Sequence, residues 1–190
     1  MIETGEVFRR ISVQLNDAGV AYMLVGSFAS SYYGVLRSTQ DIDLVISANP
    51  EQITQLVRQL QAMDYYAESS AALEALKRQS MFNVIDNKTG WKIDLMIRKS
   101  TSFGQEAFRR RRPVEFQGVE LSITSPEDLV IAKLEWAKIG GSQLQIRDVA
   151  TLLKKRWDSL DHVYLKKWLD ELSLAEPWQN ALQEAGIQPS

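Results

Sequence analysis

Cysteine is absent from this chain of 190 residues, and histidine occurs once. Without cysteine there is no disulfide framework, no thiolate nucleophile and no zinc site built on cysteine. A single histidine also rules out a histidine-rich metal site. The metal chemistry that stays open is that of hard cations held by carboxylate oxygens.

An excess of charge of either sign is lacking as well. The chain has 22 basic and 24 acidic residues and a net charge of −2, so we expect no general field that attracts polyanions. Residues 98–167 are locally basic, with 14 basic and nine acidic groups. Their densest run, Arg109–Arg112, is compatible with guiding an acidic acceptor such as RNA, but we favour a solvated loop between two elements.

Long apolar runs are also missing. The longest uncharged run, residues 18–36, has 19 residues, close to the ~20 that a membrane helix needs. Three glycines and three serines interrupt it, and no basic segment precedes it as in a signal peptide. We therefore predict no membrane span and a cytoplasmic protein.

The periods of apolar residues predict an α+β region followed by helices alone. The first region holds helices at about 4–18 and 28–33 and one that begins after Asn49, strands at 20–25 and 41–46, and hairpins at 81–97 and 114–123. Helices follow near 126–139, 143–156, 159–172 and 176–185. We predict a core domain over residues 1–124 and a helical region, residues 125–190, packed on it.

Two acidic residues share one face of the predicted strand 41–46. Side chains alternate along a strand, so Asp41 and Asp43 point to the same side while Ile42 and Leu44 point into the core. Adjacent carboxylates are electrostatically costly unless a cation or a proton compensates them. Mg²⁺ prefers carboxylate oxygens together with substrate phosphates, so this pair is a candidate magnesium site.

A third acid and a glycine-serine pair strengthen that interpretation. Asp94 lies in another predicted strand, and three acids on neighbouring strands can hold two metal ions about 3.5 to 4 Å apart for phosphoryl chemistry. Gly26 and Ser27 stand at a strand-to-helix junction, where backbone N–H groups can receive a phosphate. An isolated Asp-x-Asp is usually only an acidic strand face, but the combination favours a catalytic site.

These motifs resemble those of a known superfamily. The segments 25–27, 37–44 and 92–95 are similar to the signature of polymerase-β-type nucleotidyltransferases. Ser125–Leu129 with Lys133, followed by Arg147 and Asp148, resembles the helical motif of the AbiE-type toxin branch, found in bacterial toxin–antitoxin systems. The resemblance covers about residues 20–172. It implies a mixed β-sheet flanked by helices, with a C-terminal helical region.

The resemblance also implies an activity and its residues. The enzyme would move a nucleoside monophosphate from an NTP to a hydroxyl acceptor, with two Mg²⁺ ions and release of pyrophosphate. The acceptor would be an RNA end, a protein side chain or a small molecule, and a cognate antitoxin or toxin would be a partner. The implied catalytic and metal-binding residues are Asp41, Asp43 and Asp94, and the implied nucleotide contacts are Gly26, Ser27, Arg37, Thr39 and Lys133.

Simpler roles stay open for several of these residues. The stem of Lys133 is equally suited to covering Trp136 while the ammonium reaches solvent. Arg37 and Thr39 are compatible with shaping the turn before the strand. Asp148 would orient Lys133 or Arg147 through an ion pair, or form a plain surface pair.

Two functional alternatives also stay open. One is a catalytically silent module of the same fold that binds a nucleotide or a partner without turnover. The other is an RNA-binding module led by Arg109–Arg112, whose binding would be steeply dependent on salt and would survive the loss of Asp43.

Overall fold

A computed structural model describes residues 4–36 and 39–188. Its contacts divide the described residues into two compact units, which we call the sheet unit (residues 4–28 and 39–124) and the helical unit (residues 29–36 and 125–188). Residues 29–36 therefore belong with the helices, whereas the predicted boundary placed them in the first domain. Their anchors explain this, because Lys155 donates a hydrogen bond of 2.6 Å to the Gly34 carbonyl and the Arg156 guanidinium lies over the Tyr33 ring.

The sheet unit contains a seven-stranded mixed sheet, which confirms the predicted fold class. Its spatial order is β3-β4-β5-β2-β1-β7-β6. The strands are β1 (Ala21–Leu24), β2 (Asp41–Ser47), β3 (Tyr65–Tyr66), β4 (Met81–Asp86), β5 (Lys92–Ile97), β6 (Arg112–Phe116) and β7 (Val119–Ile123). β2 lies at the centre, parallel to β5 and antiparallel to β1.

One face of the central strands forms the core. Ile42, Leu44 and Ile46 of β2 are fully buried, and Ile93 and Leu95 of β5 lie beside them in register. The intervening residues of β2 are more exposed, as strand alternation predicts. This confirms the prediction that Asp41 and Asp43 share the face opposite the core.

Helices begin largely where the sequence predicts. The elements are α1 (Thr4–Asp17), α2 (Gly26–Tyr32), α3 (Pro50–Ala62), α4 (Ser69–Arg78), α5 (Ser102–Arg109), α6 (Pro126–Gly140), α7 (Gln143–Arg156), α8 (His162–Glu171) and α9 (Ala175–Ala185). α3 has the capping box expected from Asn49 and Gln52, with both reciprocal hydrogen bonds at 2.9 Å. None of the helices in the described parts of the chain is long and apolar enough to cross a membrane.

Three elements lie outside the predicted pattern: β3, α4 and α5. β3 has only two residues, too few for a period. α4 buries only small residues, Ala72 and Ala75, so its apolar stripe is faint, and its N-cap Glu68 makes no capping hydrogen bond through its side chain. α5 has eight residues and ends within the arginine run. Short elements held by tertiary packing leave little local signal.

The helical unit is joined by a buried polar network at the start of α6. Ser125 caps the helix, because its hydroxyl accepts the Asp128 N–H and donates to the Asp128 carboxylate at 2.6 Å. Tyr164 of α8 donates to the other oxygen of that carboxylate at 2.6 Å. Asp128 is thereby satisfied in a buried position, and α8 is tied to α6.

A second buried charge joins α1 to the edge of the sheet. Asp86 is fully buried, and its carboxylate lies 3.0 Å from Nη1 of Arg10. The Arg10 guanidinium also lies over the ring of Tyr65, the register partner of Asp86. Burial and the charge of Asp86 raise the pKa of Tyr65 to about 12.

Replacement of Arg10 by methionine should destabilise the protein strongly. The substitution leaves the Asp86 carboxylate buried without its cation, which should lower the free energy of unfolding by about 3 kcal/mol. Urea unfolding would measure the loss. The matched control is Arg9→Met, which removes an exposed ion pair with Glu6 and should change stability by less than about 1 kcal/mol. Equal losses in the two variants would contradict this account of the pair.

Candidate active site

The two central parallel strands place four charged side chains together. In the register of β2 and β5, Asp43 is opposite Asp94 and Asp41 is opposite Lys92. Because each strand alternates, all four side chains lie on the face away from the core. We call Asp41, Asp43, Lys92 and Asp94 the charged quartet; it combines three acids with one base.

Asp94 is the most firmly held member of the quartet. The residue is 7% exposed. Its Oδ1 accepts a hydrogen bond of 2.6 Å from Nδ2 of Asn83, its register partner on β4. Its Oδ2 lies 3.0 Å from the Lys92 ammonium, which is also 3.8 Å from the Asp41 carboxylate. Both Asp94 oxygens are therefore oriented by donors from neighbouring positions.

Gly26 packs directly against Asp43. It has a φ of +65°, and a Cβ at this position would lie 2.0 Å from Oδ2 of Asp43. The next backbone N–H, that of Ser27, donates to the Asp43 carboxylate. The Val25 N–H donates to the Asp43 carbonyl at 3.0 Å. Only a residue without a side chain allows the junction to approach the carboxylate so closely.

Aromatic packing around Phe28 holds the strand-to-helix junction in place. The ring of Phe28 lies 5.1 Å from that of Phe8 in an edge-to-face arrangement and 5.8 Å from that of Trp91. Phe28 follows Ser27 directly in α2. The cluster therefore anchors the glycine-serine pair to α1 and to the start of β5.

Asp43 lies in an environment that disfavours its charge. Burial is the largest cause of its raised pKa, followed by repulsion from Asp94, and these outweigh the hydrogen bond from Ser27. The pKa of Lys92 is raised in turn, chiefly by its hydrogen bond to Asp94. The quartet is thus short of positive charge at Asp43, which is the condition that a bound cation relieves.

The quartet fits a hard cation by its chemistry. Its acceptors are carboxylate oxygens, the ligands that hard cations prefer, and burial and the charge of Asp94 raise the pKa of Asp43. As the side chains stand, residues 4–36 and 39–188 contain no group of three or more acids or histidines arranged to hold a metal ion. The ammonium of Lys92 contacts two of the three carboxylates instead.

Thr39 and Arg37 are two further residues predicted to contact the nucleotide. Thr39 bonds to the backbone of Asp41, accepting its N–H at 3.2 Å, so it shapes the turn before β2. Arg37 lies outside the described residues. Neither observation tests a contact with a nucleotide, and for both residues that role stays a prediction.

Lys133 belongs to the helical unit, where it is buried. The residue is 5% exposed, and its ammonium lies 2.8 Å from the Asp148 carboxylate and 3.0 Å from Oε1 of Gln145. The alternative in which its stem covers Trp136 and its ammonium reaches solvent is therefore wrong. The ion pair with Asp148 is confirmed, and it is buried rather than superficial. A nucleotide contact of Lys133 stays a prediction.

The arginine run is engaged with its own neighbourhood. Arg109 pairs with Glu106 at 2.6 Å. Arg111 lies 4.2 Å above the ring of Phe108 and donates to the Phe108 carbonyl. The run spans the end of α5 and the start of β6 rather than an extended loop. Its local contacts give no specific support to an RNA-binding module.

Two members of the site carried no predicted role: Asn83 and Lys92. Both lie in the predicted hairpin 81–97, whose turn occupies residues 87–90. Once the hairpin register is fixed, Asn83 falls opposite Asp94. A register assignment from the turn would therefore have found Asn83, whereas the ion pair of Lys92 with Asp94 needs the conformation of a long side chain.

Solved structures identify the fold as that of nucleotidyltransferases. An antigenic nucleotidyltransferase-like protein from Paracoccidioides brasiliensis is 18% identical, with a TM-score of 0.53 over 99% of this chain and 95% of the other. The antibiotic-resistance factor ANT(2″)-Ia in solution is 11% identical, with a TM-score of 0.52 over 97% and 91% of the two chains. Its crystal structure with adenylyl-2″-tobramycin is 10% identical, with a TM-score of 0.52 over 97% and 98%. At these identities the likeness shows the fold alone.

The sequence defines the family more narrowly. Residues 6–176 match the family described as "Nucleotidyltransferase of unknown function (DUF6036)", and the chain belongs to it. None of the curated proteins matches the sequence. The resemblance to nucleotidyltransferases is thus confirmed at the level of the superfamily, and membership of the AbiE-type branch stays a prediction.

Replacement of Gly26 by alanine should damage the site and the fold together. The new Cβ would collide with the Asp43 carboxylate, and the alanine would have to keep the positive φ of Gly26. Gly118→Ala is the matched control, because Gly118 has a φ of +71° and open space around its Cβ position. We expect Gly26→Ala to lose about 1–3 kcal/mol more of unfolding free energy than the control, measured by urea unfolding. Similar losses of unfolding free energy in the two variants would show that close packing of Gly26 against Asp43 does not matter for stability.

Replacement of Asp43 by asparagine should stabilise the metal-free protein at neutral pH. Because the pKa of Asp43 is raised, the folded state holds the proton to higher pH than the unfolded state, and stability falls as pH rises above the ordinary value of 3.8. The amide side chain of the variant carries no charge, so its advantage should appear at pH 7 and vanish near pH 3.

Urea unfolding in chelator across that range of about pH 3 to pH 8 would measure the difference between the two proteins. Asp41→Asn is the control, because the Asp41 side chain is 52% exposed and its removal should matter less. An Asp43→Asn protein that is less stable than the wild type at pH 7 would contradict the raised pKa assigned to Asp43.

Proposed function

We propose that this chain transfers a nucleoside monophosphate from an NTP to a hydroxyl acceptor and releases pyrophosphate. The observation that carries the proposal is the register of β2 and β5, which sets Asp43 beside Asp94 with Asp41 on the same face. The family description and the nucleotidyltransferase fold support the same reaction class.

Each part of the site has a role in this proposal. Asp41, Asp43 and Asp94 would hold Mg²⁺, which would neutralise the triphosphate and the charge that develops during transfer. Gly26 and Ser27 would receive the phosphates, because Gly26 leaves the backbone of the junction uncovered beside Asp43. Asn83 would keep Asp94 oriented through its hydrogen bond to Oδ1.

The reaction needs positioning more than covalent chemistry from the protein. The acceptor oxygen attacks the α-phosphorus, the bond from that phosphorus to the bridging oxygen of the β-phosphate breaks, and pyrophosphate leaves. The hydroxyl proton passes to a base, for which the acids of the site are the candidates. Asp43 would hold the cation, so the proton would pass to Asp94 where the cation does not engage that carboxylate, and otherwise to solvent.

The acceptor defines the biological role, and three classes are proposed. A toxin–antitoxin role, with an RNA end or a protein side chain as acceptor, rests on the resemblance of the helical motif to the AbiE-type branch. A small-molecule acceptor is supported by the fold shared with ANT(2″)-Ia, whose structure contains an adenylylated tobramycin. A label on the α-phosphate distinguishes them, because it follows the transferred group into RNA, protein or a small molecule.

The first experiment is thermal unfolding of the wild type and of Asp43→Asn with each of the four NTPs, with and without Mg²⁺. A ligand that binds the folded state raises its stability by mass action. We expect one NTP to raise the melting temperature of the wild type by about 5 °C or more at saturation, only with Mg²⁺. Asp43→Asn should lose this increase.

The control for that experiment is Asp170→Asn, which removes an exposed carboxylate of the helical unit and should respond as the wild type does. Pyrophosphate release with the stabilising NTP then tests turnover. Binding without pyrophosphate release, across RNA, protein and small-molecule acceptors, would replace the proposal by the catalytically silent module. A shift that persists in Asp43→Asn would place the nucleotide elsewhere.

A further inference from the structure

The charged quartet contains its own cation. Three carboxylates face one ammonium, and the lysine that supplies it is the register partner of Asp41 and lies two residues before Asp94. Its ammonium is 3.0 Å from Asp94 and 3.8 Å from Asp41. The strand pairing, rather than a chance surface encounter, thus brings this positive charge to the carboxylates.

We infer that Lys92 is a built-in counter-ion of the site, which holds the Asp94 carboxylate in the metal-free protein and competes with a divalent cation for it. This inference rests on the proposed function, because it concerns the cation that the carboxylates would bind. It assigns Lys92 a positioning role that the family description does not contain.

The hydrogen bonds of Asp94 show why the competition is direct. Asn83 occupies Oδ1, and Lys92 occupies Oδ2. A cation that binds at Oδ2 would meet the ammonium at the same oxygen, and two positive charges at such short range repel each other strongly. Binding of the cation therefore requires Lys92 to withdraw, while Asn83 continues to orient the carboxylate.

The exposure of Lys92 makes withdrawal feasible. Its side chain is 39% exposed, in contrast to the buried Asp94, so the ammonium has solvent to move into. Lysine has a flexible stem, and an ion pair of this exposure is worth little. A modest penalty on cation binding is the expected result, rather than exclusion of the cation.

Direct titration with Mn²⁺, followed by the electron paramagnetic resonance of the free ion, would test the inference without any turnover. Full-length wild type is compared with Lys92→Met and with Lys88→Met, which removes an exposed ammonium from the turn of the same hairpin. We expect Lys92→Met to bind Mn²⁺ about fivefold more tightly than the wild type, and Lys88→Met to match the wild type. Lys92→Gln keeps a hydrogen-bond donor for Asp94 and serves if the methionine variant folds poorly.

The outcomes separate this inference from the proposed function. Equal or weaker Mn²⁺ binding by Lys92→Met and Lys92→Gln overturns the inference, and pyrophosphate release by the wild type would then leave the proposed function standing. Mn²⁺ binding by the Lys92 variants, with none by the wild type and no pyrophosphate release, supports the inference and contradicts the proposed function. Absence of Mn²⁺ binding in every protein overturns the inference together with the metal step of the proposed function.

Discussion

The site depends on one pairing, that of β2 with β5, because it sets two carboxylates side by side. Asp43 and Asp94 are register partners, and burial together with the charge of Asp94 raises the pKa of Asp43. Donors from three neighbouring residues contact these carboxylates. The Ser27 N–H and the Asn83 amide donate to the two carboxylates, and the Lys92 ammonium supplies positive charge.

The apolar face of the same strands offsets the repulsion between the two carboxylates. Ile42, Leu44 and Ile93 fill the core directly behind the quartet, and the burial of each contributes about 1.5–3 kcal/mol. Strand alternation therefore places the apolar residues that stabilise the sheet on one face and the acids of the candidate site on the other. The sheet is stable despite the repulsion within the acid pair, because the apolar side chains that stabilise it lie on the opposite face.

The sequence predicted much of the fold and named the three acids as neighbours, but it did not predict which groups contact their carboxylates. Alternation alone placed Asp41 and Asp43 on one face, and the capping residues located α3. The pairing of Asp43 with Asp94 depends on the register between strands distant in the chain, which no local pattern encodes. Lys133 illustrates the same limit, since it lies on the buried face of its own helix but the partner of its charge, Asp148, comes from the next helix.

The parallel pairing of β2 with β5 also has a kinetic consequence. Asp43 and Asp94 are separated by about 50 residues, and a parallel pair cannot be closed by a tight turn. Contacts of such long sequence separation form slowly, because the chain loses loop entropy before it gains the pairing. We therefore expect the acid pair to form later in folding than local elements such as α3. A nascent or truncated chain that ends before β5 lacks Asp94, so it cannot contain the pair of carboxylates that the candidate site requires.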